Sequence, residues 1–241
     1  MKRFFLLPVF LLACSGQEPK PDPTEYFRLR AGAWWTYTVD RGSDLDTSDW
    51  TLDSVMETYH ETLTITEENA GLYTWVITYD NDTIEDTMQA FVKADTLMLA
   101  FTKTFILLVD TVTVSDTVPY APCPLEEGLT WTSPEKIVAI ADLNGDTFDD
   151  TVYYSLNGTV EKTENLVIPA GQFPALRVFY KHTLRLILGN DGTFLFPLEQ
   201  RIWWSPNNGP VRWVDRDYRN APDPLALPYL VKNLSDMGDL Y

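Results

Sequence analysis

From Trp34 onward the chain repeats a period of two, and that period restricts it to strands. Segments such as WWTYTVD (34–40), ETLTITE (61–67), LYTWVITYD (72–80), TVYYSL (151–156) and ALRVFYKHTLRLIL (175–188) are rich in Thr, Val and aromatics and alternate apolar with polar residues. Such alternation marks a sheet with one packed and one wet face. Turn signals separate the segments: Glu68-Asn69-Ala70-Gly71, Asp80-Asn81-Asp82, Gly189-Asn190-Asp191-Gly192 and Asn207-Asn208-Gly209. Two runs, TLMLAF (96–101) and TFILLVD (104–110), are apolar almost throughout and are expected to be covered on both faces. Helical signal is confined to Pro228–Gly238, where Leu230, Leu234 and Met237 fall at i, i+4 and i+7. The expectation is an all-β domain: a curved antiparallel sheet, half-barrel-like, open or partly closed, with few short helices.

The amino end is of a different kind. Met1-Lys2-Arg3 is followed by FFLLPVFLLA and then Cys14. A positive start, a short apolar run and a small residue before the cut are the parts of a secretory signal. Ten apolar residues are too few to cross a hydrocarbon core of ~30 Å as a helix. Leu11-Leu12-Ala13-Cys14 resembles the lipobox of bacterial lipoproteins, in which the cysteine is acylated and becomes the first residue; an ordinary signal peptide that contains a cysteine is the plain alternative. In lipoproteins of enteric bacteria a Ser rather than an Asp after that cysteine, as at Ser15, goes with transport to the outer membrane. The divisions expected are a signal peptide over 1–13, a lipidated Cys14 with a proline-rich tether over 14–24, a β domain over 25–219 and a tail over 220–241 with a short helix. Prolines at alternate positions in 15–24 favour an extended chain reaching roughly 30 Å.

Charge and cysteine content narrow the function classes. The formal net charge is −17, and loss of Lys2 and Arg3 with the signal makes it −19. Such a chain is repelled by phosphate backbones, which argues against nucleic acid, and by anionic membrane surfaces, which leaves the acyl chains as the attachment. After cleavage Cys123 has no partner for a disulfide. The two histidines, His60 and His182, are too few for a histidine metal cluster, and no Gly-x-Ser-x-Gly is present.

Two local patterns bear on a site. Asp142, Asn144, Asp146 and Asp150 place oxygen ligands at relative positions 1, 3, 5 and 9, as a calcium loop requires, although Thr147 stands where glycine is usual and Tyr153 where a bidentate glutamate belongs. An acidic hairpin around Asn144-Gly145 explains the same residues without metal. Trp34-Trp35 and Trp203-Trp204 are adjacent pairs, so one ring of each pair points to each face and is a candidate for stacking on sugar or touching acyl chains. Leu29-x-x-Gly32-x-x-Trp35 is echoed by Leu125-x-x-Gly128-x-x-Trp131, either a duplicated half-sheet or one way of leading into a sheet used twice.

YFRLRAGAWWTY (26–37), VIPAGQFPALRVFY (167–180) and WWSPNNGPVRW (203–213) resemble three motifs of a broad group of uncharacterised bacterial envelope lipoproteins. That group is similar in turn to the lipoprotein-carrier (LolA/LolB-like) half-barrels, whose sheet wraps a hydrophobic cavity. The resemblance implies a non-enzymatic, lipid-anchored envelope protein that binds a hydrophobic ligand or an envelope partner. A surface scaffold or glycan-binding module with a calcium-braced loop, and a carboxylate-dependent hydrolase, are the alternatives. No cofactor other than calcium is implied.

Overall fold

A computed structural model describes residues 19–44, 50–79, 82–107, 110–142, 150–189, 192–217 and 227–239. One short helix, α1 (Pro23–Tyr26), precedes twelve strands. These are β1 (Ala33–Asp44), β2 (Ser54–Asn69), β3 (Leu72–Tyr79), β4 (Asp82–Lys93), β5 (Thr96–Leu107) and β6 (Asp110–Pro122), then β7 (Thr130–Ala141), β8 (Asp150–Ile168), β9 (Gly171–Leu188), β10 (Gly192–Ser205), β11 (Gly209–Asp217) and β12 (Leu227–Asp239). All pair antiparallel in one sheet, in the order β6-β5-β4-β3-β2-β1-β12-β11-β10-β9-β8-β7. The sheet is two six-stranded meanders joined where β1 meets β12, and it curls until β6 and β7 face each other. The result is an almost closed barrel.

Alternation decides which face turns inward. In β1 Ala33, Trp35, Tyr37 and Val39 are buried, while Trp34, Thr36, Thr38 and Asp40 between them are half-buried. The register carries this inner face through Leu63 and Ile65 of β2, Trp75 of β3, Leu97 and Leu99 of β5, Leu156 of β8, and Val178 and Tyr180 of β9. The outer positions include hydrogen-bonding threonines, such as Thr36 with Thr62 at 3.0 Å. Of the two apolar runs, 96–101 has Leu97 and Leu99 inward with Met98 and Ala100 half-buried; the side chains of the second run lie outside the described residues.

Up-and-down topology gives the barrel two unlike ends. One end, the motif end, holds α1, the starts of β1 and β7, and the turns β2–β3, β4–β5, β8–β9 and β10–β11. Both echoed motifs lie there. Gly32 and Gly128 have φ of 86° and 83°, and each donates its N–H across to the sheet, to Ile65 O and Val160 O. Each motif thus begins one of the two meanders. The opposite end carries the remaining hairpins.

Two sequence expectations are corrected. The segment expected to hold a helix is strand β12, which pairs with both β1 and β11. Without it both neighbours would present an unpaired edge, and the ladder on two sides outweighs a helical pattern of only three residues. A bulge opposite Thr36/Tyr37 lets Leu234, fully buried, keep its place on the inner face. The β domain therefore runs to Asp239 rather than ending at 219. The tether is also shorter than 14–24. Residues from Lys20 on lie against the motif end, where the Cys123 thiol donates to Pro21 O at 3.8 Å and Lys20 meets Asp95 at 3.4 Å. Asp22 caps α1 by accepting from the Thr24 N–H at 2.8 Å.

Gly209 shows how tightly the motif end is packed. Its φ is 84°, and a Cβ placed there would stand 2.8 Å from Cζ2 of the buried Trp35 ring. Gly71, with φ 82°, has open space in the same direction. Gly209→Ala is expected to lower stability by more than Gly71→Ala. The shared backbone strain amounts to about 1 kcal/mol and the ring clash adds ~1–3 kcal/mol at residue 209 alone. Urea midpoints of the two variants measure the difference, and equal losses would mean that the ring yields freely.

Candidate functional site

The sites expected from sequence do not assemble in one place. Cys14, Asn144 and Asp146 lie outside the described residues. Of the other two loop carboxylates, Asp150 is fully buried and accepts from the Gly189 N–H at 3.0 Å, which ties the β7–β8 hairpin to the end of β9; Asp142 is half-buried. The tryptophan pairs alternate between faces. Trp35 and Trp204 are buried inside, donating to Asn208 O (2.6 Å) and Tyr180 Oη (3.1 Å). Trp203, on the outer face, is only 5% exposed, donates to Glu164 (2.8 Å) and lies under the Arg212 guanidinium. Trp34 alone of the four keeps a partly open ring, which rests against Gly238. His60 is exposed on β2, whereas His182 is half-buried on β9, with Nδ1 2.7 Å from the Tyr154 hydroxyl.

Inside, the barrel is aromatic near the motif end and polar further in. Tyr120 stacks on Tyr180 at 4.6 Å, Trp131 meets Tyr180 edge-on, and Trp204 meets both Tyr120 and Phe27 edge-on. Beyond this cluster Lys232 donates to both oxygens of Glu61 (2.6 and 2.8 Å), and Glu61 is 3% exposed. Gln200 accepts from Tyr120 Oη at 3.0 Å and donates to Asp215 at 2.5 Å. Burial pushes the Tyr120 and Tyr180 hydroxyls far above their usual range, so both stay protonated. Sequence reasoning passed over Glu61, although a signal was present: in Glu61-x-Leu63-x-Ile65 a carboxylate occupies the inward register.

At the seam, Lys136 of β7 donates to Asp116 Oδ1 (2.8 Å) and Thr117 O (3.2 Å) of β6. All three residues help line a hollow of about 760 Å³, with Thr74, Thr87, Met88, Gln89, Ala100, Thr102 and Ser115 as its other walls. Hydroxyl, amide and charged side chains make most of this lining, with Met88 and Ala100 among them.

The outer wall carries the apolar surface. Register aligns Ile137 of β7, Tyr153 of β8, Arg185 of β9 and Leu195 of β10 in one outward row, followed by Ile140, Thr151, Ile187 and Thr193. Ile137, Ile140 and Leu195 are 56, 59 and 62% exposed, and the Arg185 guanidinium lies 4.0 Å over the Tyr153 ring. Further round, Trp50 from the β1–β2 connection sits between Arg201 and Arg216, 3.9 and 3.8 Å from its ring centre, and meets Phe179 edge-on. Among the described residues no three His, Cys, Asp or Glu side chains converge on a point that could hold a metal, and no helix is long and apolar enough to cross a membrane.

No family model and no curated protein matches the chain. Solved structures do resemble it. A candidate lipoprotein from Parabacteroides distasonis is 16% identical with a TM-score of 0.47, over 87% of this chain and 96% of its own. A candidate exported protein with a YmcC-like fold from Bacteroides fragilis is 12% identical with a TM-score of 0.43, over 89% and 99%. The hypothetical lipoprotein YmcC from Escherichia coli is 8% identical with a TM-score of 0.33, over 86% of each chain. These neighbours are described as lipoproteins and exported proteins, with no enzymatic activity in their descriptions.

Two outcomes test the buried groups. Lys232→Met strands Glu61 without its cation and is expected to cost ~3–5 kcal/mol, whereas Glu61→Leu combined with Lys232→Met recovers most of that loss. Urea denaturation of the single and double variants checks this, and a neutral single variant would show that water reaches Glu61. Burial, assisted by the Asp95 and Asp22 charges, pushes the Cys123 thiol up to about 11. Its reactive thiolate is therefore scarce at pH 8 in the folded protein, and alkylation by iodoacetamide should be slow there and accelerate on unfolding. Fast native alkylation at pH 8 would contradict the burial.

Proposed function

We propose that this chain is a lipid-anchored, non-enzymatic component of the bacterial cell envelope that binds an assembly partner on its outer wall. Cys14 carries the lipid, and the outer membrane is its address where the organism has one. The observation that carries the partner reading is the inside-out contrast. Large rings fill the barrel where an acyl ligand would lodge, while Ile137, Ile140 and Leu195 stand exposed in register on β7 and β10. With Tyr153 and Ile187 between them and Arg185 and Thr151 interspersed, they make an outward surface of the mixed apolar, aromatic and arginine character that contact faces use. The packed interior thus favours an envelope protein over an enclosed hydrophobic ligand.

Cys14→Ala is expected to move the protein from the membrane pellet to the soluble fraction, and intact-mass analysis of the wild type should show acylation at Cys14. Denaturing the purified soluble domain and extracting its lipids separates the two ligand classes. No stoichiometric lipid is expected, and one acyl lipid per chain would replace the partner reading with a carrier.

A further inference from the structure

We infer that the outer wall of the first meander, from the Trp34 ring to the hollow where β4 and β5 part, is a binding site for a neutral oligosaccharide. It lies on the other meander from the Ile137 and Leu195 surface and does not rest on the reading of that surface. Register lays out its floor. Trp34, Thr64, Val76 and Thr87 form one outward row across β1 to β4, three strand spacings or roughly 14 Å long. Thr74, Gln89, Ala100 and Thr117 form the next, across β3 to β6. Neither row holds a charged side chain, in a chain whose formal net charge is −17. Charge resumes at the margins, with Glu67 opposite Thr74, and with Asp236 and Glu85 ending the row of Thr36, Thr62 and Thr78. Beyond the second row, Leu72, Phe91, Met98 and Pro119 are apolar.

The wall parts where these rows end. β4 and β5 pair only between Gln89–Lys93 and Thr96–Ala100, whereas β5 stays paired with β6 as far as Leu107 and Asp110. The hollow of about 760 Å³ lies there, within the ~300–1,000 Å³ of small-ligand sites. Thr87 belongs both to the first row and to the lining, so ring and hollow share one surface. Among the described lining residues the ionisable ones, Lys136 and Asp116, neutralise each other at 2.8 Å. Lys136 donates to Asp116 and to Thr117 O, which leaves its third N–H for a guest. A charged guest therefore meets no uncompensated opposite charge, and an acyl chain would cover hydroxyl and amide groups without replacing their hydrogen bonds to water. Sugar hydroxyls donate and accept as Thr, Ser and Gln side chains do. The C–H faces of pyranose rings match the Trp34 ring and the apolar residues beside the rows. Gly238 lets that ring lie close on β12, since a Cβ there would stand 2.7 Å from Cζ2, and the ring keeps part of its surface open.

The test uses the full chain in lauryldimethylamine oxide, a detergent without sugar, so that its outcome is independent of Cys14. Calorimetric titration is made with cellotetraose, maltotetraose and tetra-N-acetylchitotetraose, and with tetragalacturonate as a charged counterpart. Saturable binding of at least one neutral tetrasaccharide is expected, with a change in tryptophan fluorescence. Trp34→Ala, and separately Thr87→Val with Thr102→Val, should each weaken that binding ~5–10-fold. Thr87 and Thr102 are exposed, so the double variant leaves the core intact and its urea midpoint should stay near that of the wild type. Failure of all three neutral sugars to bind overturns the inference. So does binding that neither variant weakens, which would place the sugar on another surface. Tighter binding of tetragalacturonate than of any neutral sugar overturns the neutral ligand class, and binding weakened by Trp34→Ala alone removes the hollow from the site.

Discussion

The barrel is closed by side chains, an aromatic cluster and the Lys136–Asp116 pair, and not by a ladder of hydrogen bonds. Tyr120 comes from one edge strand and Trp131 from the other, and both rings pack on Tyr180 of β9. Among the described residues no strand ladder joins β6 to β7. Their sequences hinder one: Pro119 and Pro122 interrupt β6, while Pro134 and two register shifts interrupt β7. Proline and bulges blunt an edge against pairing, here with each other and with other chains. Closure by side chains demands that the interior near Tyr180 be solid, since a cavity there would remove what holds the edges together. The filled interior is therefore a condition of this architecture, which shifts attention from the lumen to the wall.

The polar groups deeper inside follow from the same constraint. A curled sheet of twelve strands encloses more volume than one aromatic layer fills, and beside aliphatic residues such as Val39 and Leu63 the other inward positions include Glu61, Lys232, Gln200 and Asp215. Each is satisfied by a named partner on another strand, so the cost of burial is offset only when the register is correct. Such a cluster specifies pairing more than it adds stability.

Period-two patterning made the strands legible, because it reflects the pleat of each strand alone. It puts Trp35 with Tyr37, and Leu63 with Ile65, on one face of their own strand without any knowledge of neighbours. Gly171 and Gly209 could likewise be assigned to left-handed turns from their local motifs, and they have φ of 137° and 84°. What depends on a neighbour was not legible. Nothing within residues 228–238 says that β1 and β11 each lack a partner, so three leucine and methionine positions at helical spacing gave a helix where the barrel needs a strand. Trp203 is similar. Its outward direction was readable, but its cover by Glu164 and Arg212 comes from β8 and β11. The site residues Asp116 and Lys136 are invisible for the same reason, since they belong to different meanders and meet only when the sheet curls.

Polarity between the ends was encoded in a form that sequence alone does not order. In an up-and-down sheet alternate connections fall at the same end, so a regular alternation of turn types along the chain becomes a difference between two surfaces. Compact turns such as Ala70-Gly71 and Ala94-Asp95, both with paired positive φ, recur at the motif end. The other connections alternate with them and fall at the opposite end. The two Leu-x-x-Gly-x-x-Trp motifs start the two meanders in phase, which keeps this alternation aligned across the β6–β7 seam. A strand added to or lost from either meander would carry connections of one end over to the other. Even strand number in each half is thus what keeps the two sets of connections at separate ends.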